Sequence, residues 1–157
     1  MNKPIAVTPN ILPKKDYRKA GHSFILFKDV KQELMISEKY LKDLLRQVVS
    51  LRAGGKCEFP GCINMQCDQH HWHTQKNNAV KYNPDCCINL CADHHTAGNV
   101  SAHRAPTLFK KIIIENCIRS EEWADNILSI ANQVVKDDRY FREFWKEKLL
   151  EELRRAA

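Results

Sequence analysis

The chain has 157 residues, of which 43% are hydrophobic, and a formal net charge of +6. That length suits one domain with extensions, and no run approaches the roughly 18 apolar residues that a transmembrane helix needs. The charge is uneven: residues 1–56 hold 12 Lys/Arg against 5 Asp/Glu, residues 57–104 hold 3 against 4, and residues 105–157 hold 10 against 10. A basic N-terminal third beside a near-neutral remainder points to a polyanion partner, with a solvated lysine-rich surface as the alternative.

Residues 1–22 read as a basic flexible arm, because Pro4, Pro9 and Pro13 oppose helix. The arm lacks the apolar stretch of a signal peptide, so the expectation is a cytoplasmic protein with no membrane partner. Lys14, Lys15, Arg18 and Lys19 in this arm are the candidate nucleic-acid contacts. Residues 23–157 are expected to form a single domain, and its start, 23–36, fits either a strand or a helix beginning.

The next segment, 36–53, is predicted helical. Ser37 suits an N-cap, Tyr40, Leu41, Leu44, Leu45, Val48, Val49 and Leu51 recur at helical spacing, and Gly54-Gly55 ends the run. Residues 105–157 predict three further helices. Pro106 opens one with Leu108, Phe109, Ile112 and Ile113 inward. Ser120 caps the second, with Trp123, Ile127, Ile130, Ala131 and Val134 on one stripe. Asp137 caps the third, which carries Tyr140, Phe141, Phe144, Trp145, Leu149 and Leu153 as core.

Between these helices lies the chemistry. Six of the seven cysteines fall within 57–91, and six of the seven histidines within 70–103. An odd cysteine count argues against a disulfide framework, and mixed clustering of both ligand types argues for metal. Cys57-Glu-Phe-Pro-Gly-Cys62 is a short turn presenting two thiols, and Cys91-Ala-Asp-His94 supplies a second pair. Together they can close a structural Cys3His zinc site. Cys67, Cys86 and Cys87 read as packed thiols and Cys117 as helix core.

His70-His71, His73, His95 and His103 remain unused by that site. Asn99 follows His95 by four residues, so one helical turn would aim both at one point. A second metal held by these groups would keep open positions, which distinguishes a catalytic ion from a structural one. His73 and His103 fit surface groups as well as ligands.

The ordered set Cys57…Cys62, His70-His71 and Leu90-Cys91-Ala-Asp-His94-His95 resembles the zinc-stapled HNH, or ββα-metal, endonucleases over residues 56–103. The resemblance implies an α+β fold. Its ββα-metal core, 56–104, is stapled by the zinc site and flanked by one N-terminal and about three C-terminal helices. It implies that His71 is the general base, that His70 and His95 bind the catalytic metal, and that Asn99 or His103 supplies a third ligand. The family carries an Asn nine residues before the last His, where this chain has Cys86; the loop-orienting role is then unfilled, moved to Asn83 or Asn89, or done by Cys86. Lys81-Tyr-Asn-Pro-Asp85 and Ala97-Gly-Asn99 also look similar to the phage NinG-type recombination nucleases, which are associated with branched DNA.

These resemblances imply a metal-dependent DNA endonuclease, phage-encoded and acting in recombination. Neutral imidazole titrates near pH 7, so His71 can take a proton from water there. Imidazole ligation suits Mn²⁺, Ni²⁺ or Zn²⁺ better than Mg²⁺. Two other readings fit the same cysteines: a non-catalytic zinc-stabilised DNA-binding module, and a zinc-stabilised protein-interaction module with an apolar patch on its aromatic helices.

Overall fold

The computed structural model describes residues 36–156. The expected arm at 1–22, its Lys14, Lys15, Arg18 and Lys19, and the segment 23–35 lie outside the described residues. The elements run α1 (Glu38–Arg52), β1 (Cys67–His71), a 3-10 turn (Pro84–Cys86), β2 (Cys87–Cys91), a π-helical turn (Asp93–Ala97), α2 (Pro106–Glu115), α3 (Glu121–Ala131) and α4 (Arg139–Arg155). The architecture is α+β. Among the described residues, no helix is long and apolar enough to cross a membrane.

Side-chain caps set three of the four helix starts, and Pro106 opens α2 without one. Ser37 Oγ accepts from Tyr40 N at 3.1 Å and Ser120 Oγ from Trp123 N at 3.0 Å. Both satisfy an amide that has no partner inside the helix. The third predicted cap is off by one: Asp138, not Asp137, accepts from Phe141 N. Asp137 is instead committed to an ion cluster described below.

β1 and β2 pair antiparallel, with Cys67 opposite Cys91 and His71 opposite Cys87. Every residue of β2 is buried. This strand is covered on both sides, so it shows none of the polar alternation of a half-exposed strand. Ile88 and Leu90 join Trp72, Val80, Phe109, Ile113 and Ile127 in one core. Cys87 joins Leu44, Leu45, Val48 and Val49 of α1 and Leu149 of α4 in a second.

Several predicted core positions are exposed. Leu108, Val134, Tyr140 and Phe144 all face outward. Val134 lies past the end of α3, and α4 buries only Leu149 fully. Cys117 is also exposed, not helix core. It follows the C-cap of α2 with φ 56°, the left-handed conformation that stops a helix.

An ion cluster ties the first and last helices to the loop between the strands. Lys81 Nζ donates to Glu38 Oε2 at 2.8 Å and to Asp137 Oδ2 at 2.9 Å. Tyr82 and Arg142 also donate to Asp137. Burial pushes the Asp137 carboxyl up, but the Arg142 and Lys81 hydrogen bonds outweigh it and hold it at about 2, below its ordinary 3.8. A folded-state value below the unfolded one adds stability above pH 3.8 that is lost as pH falls toward 2. Asp137→Asn is therefore expected to cost about 1–3 kcal/mol at neutral pH and roughly half as much at about pH 3, between the two values. Denaturant melts at about pH 7 and about pH 3 read this directly. An equal cost at both pH values would contradict it.

Candidate metal centres

The first centre is built by two turns that meet at the ends of β1 and β2. The Cys57–Cys62 turn needs the left-handed conformation at Gly61, φ 74°. That conformation is open to glycine and strained for a side chain. Glu58 N donates to Asn89 O, which fastens the turn to β2. The π-helical turn after β2 carries His94 back over Cys91.

The ligand atoms of Cys57, Cys62, Cys91 and His94 all lie within 4.8 Å of one another. Cys62 Sγ is 3.9 Å from Cys91 Sγ, and His94 Nδ1 is 3.2 Å from Cys91 Sγ and 3.6 Å from Cys57 Sγ. A tetrahedral ion with metal–sulfur bonds of about 2.3 Å has S···S edges of about 3.8 Å and somewhat shorter S···N edges. The four groups therefore fit one four-coordinate metal ion. Burial pushes the Cys57 thiol up to about 12. A thiolate there needs a bound cation. Phe59 stacks on the His94 ring at 3.9 Å and fixes its plane. Cys67, Cys86 and Cys87 stay outside the group, the last two fully packed.

The second centre joins His70, His95 and His103, whose ligand nitrogens also lie within 4.8 Å of one another. Their ring centroids form a near-equilateral triangle of 5.2, 5.1 and 5.0 Å. His70 comes from β1 and His95 from the π-helical turn. His103 arrives by a sharp reversal at Gly98. A Cβ there would sit 2.7 Å from Asp93 O, so the backbone approach requires glycine. Ala102 N and His103 N then donate to His94 O and His95 O, which pins the returning chain.

This reversal removes the helical relation expected between His95 and Asn99. The turn stops at Ala97 and Gly98 is extended. Asn99 is exposed and does not line the hollow into which the three imidazoles face. His73 lines that hollow but stands outside the triad, its Nδ1 buried without a partner. Burial, with the neighbouring imidazoles, pushes His70 down to about 3 and lowers His95. Both shifts favour the neutral ring that metal ligation requires.

His71 points to a different partner. Its Nε2 lies 3.1 Å from the Lys81 carbonyl, which can only accept, so Nε2 carries the proton and Nδ1 the lone pair. Burial lowers its pKa, opposed by the Lys81 carbonyl and aided by Lys42.

The loop carrying that carbonyl is docked at many points. Asn77 Nδ2 donates to Ala131 O at 2.6 Å and Asn78 Nδ2 to Val135 O at 3.1 Å. Trp72 N donates to the backbone of Cys86. Lys81 is held by the Glu38–Asp137 cluster. Of the three residues named for loop orientation, Asn83 caps the 3-10 turn, Cys86 O accepts from Trp72 N, and Asn89 braces the first centre through Lys56 O. No sequence signal marks Asn77 or Asn78, and none gives Lys81 or Asp137 this role, because each acts through a distant partner.

No family model matches the chain, and no curated protein or solved structure matches it either.

Proposed function

We propose that this protein is a metal-dependent DNA endonuclease of the HNH type, with zinc stapling the Cys3His centre and a second divalent ion at the three histidines. The observation that carries this reading is the pairing of an open three-imidazole centre with an adjacent, separately oriented imidazole. Three sulfurs and one nitrogen close a structural zinc site completely. Three imidazoles leave positions for water and phosphate, the mark of a catalytic ion. The ββα core is then β1, β2 and the short turn that bears His94 and His95.

In this reading His70, His95 and His103 hold the ion, and His103 takes the third place offered to Asn99. A bound divalent ion supplies charge neutralisation at the scissile phosphate and the leaving oxygen. His71 Nδ1 accepts the proton of the attacking water. The Lys81 carbonyl holds Nε2–H and so fixes the tautomer that leaves Nδ1 free. The set of imidazoles favours Mn²⁺, Ni²⁺ or Zn²⁺ over Mg²⁺.

Metal-titrated cleavage tests the ligand assignment. His95→Ala and His103→Ala are each expected to raise the metal concentration needed for half-maximal cutting by about tenfold or more, as loss of a ligand should. Asn99→Ala is expected to leave it unchanged. The opposite ranking of His103 and Asn99 would return the third ligand to Asn99.

A further inference from the structure

We infer that the hollow above the three histidines is a track for a DNA backbone, in which Lys76 and Lys110 grip the phosphates flanking the one that is cut. This rests on the nuclease reading and identifies where the strand lies. The hollow measures about 680 Å³ and opens to solvent. Four cations line it, Lys42 and Arg46 from α1, Lys76 from the loop between the strands and Lys110 from α2, against one carboxylate, Asp68.

Two of the four cations are already matched. Lys42 pairs with Glu38 at 2.8 Å, and Arg46 pairs with Asp68 at 2.8 Å and Asp43 at 3.1 Å. Lys76 and Lys110 make no ion pair among the described residues, and both are exposed. Lys110 Nζ sits 5.0 Å over the Trp72 ring. That contact places the ammonium at the rim while leaving its N–H groups free to donate. A pocket for a single free anion gathers its donors at one point. Here the two free cations come from separate elements, the inter-strand loop and α2, on an open trough, which suits a chain of phosphates. A divalent ion on the floor adds to the same positive field.

The test is DNA binding by the full chain as a function of salt, with no divalent ion added to the buffer. The probe is a short fluorescent duplex of random sequence, with inorganic phosphate as a competitor. Lys76→Gln with Lys110→Gln is expected to weaken binding severalfold or more and to make the log–log salt slope shallower by about 2, one per lost phosphate contact. Lys148→Gln, an exposed lysine on α4 away from the hollow, is the control and keeps the wild-type slope. An unchanged slope in the double variant overturns the inference, even if the wild type cuts DNA. Binding that follows the expected slopes in a protein that cuts nothing overturns the nuclease reading instead. Lysine-dependent binding of inorganic phosphate without duplex binding marks a free-anion site and overturns both.

Discussion

His71→Ala is expected to lower DNA cleavage by about two orders of magnitude or more while leaving the protein folded, metal-loaded and able to bind DNA. The size follows from removing a positioned acid–base group. The selectivity follows from where His71 sits. Its ring belongs to neither metal group, and its one hydrogen bond, to the Lys81 carbonyl, is a contact worth about 1 kcal/mol. Single-turnover cleavage, metal analysis and a thermal melt on the same preparation separate these effects. His73→Ala is the companion variant, since His73 lines the same hollow without facing the Lys81 carbonyl. A dead His73→Ala beside an active His71→Ala would shift the base by two residues.

Cys57→Ser and Cys91→Ser are each expected to lower the thermal midpoint by about 10 °C or more and to abolish tight binding of one zinc per chain. The binding energy of a structural ion is folding energy, and these thiols lie where both strands and the first turn converge. Cys91 also ends β2, so its loss reaches the strand that both cores share. Cys117→Ser, at an exposed position outside the metal groups, keeps zinc and stability. Folded, active protein that holds no zinc contradicts the assignment.

The parts of this molecule that could be read from sequence are those fixed by near neighbours. A Cys-Glu-Phe-Pro-Gly-Cys turn and a Cys-Ala-Asp-His turn each present two ligands locally, and the structure brings all four together. Ser37 and Ser120 cap helices for the same local reason. The adjacent aspartates Asp137 and Asp138 could not be told apart that way. Asp138 became the cap because Lys81 and Arg142, distant in sequence or one turn ahead, claim Asp137.

Residues 93–103 show why the rest was hidden. Helical spacing alone aims Asn99 beside His95. A single glycine approaching Asp93 O ends the turn early and delivers His103 instead. The docking of the Asn77–Lys81 loop onto α3, α1 and the start of α4 is longer-range still. The residue types of Tyr140 and Phe144 predict core, yet α4 offers the interior only a narrow stripe around Leu149.

The most direct measurement of the central claim is to incubate the purified wild-type protein with supercoiled plasmid and with a branched DNA junction, adding Mg²⁺, Mn²⁺, Ni²⁺ or Zn²⁺ in turn. The expected result is cutting that depends on added metal, is strongest with Mn²⁺, Ni²⁺ or Zn²⁺, and disappears in His71→Ala. Wild-type protein that carries its structural zinc and binds DNA, yet cuts neither substrate with any of the four ions, would contradict it.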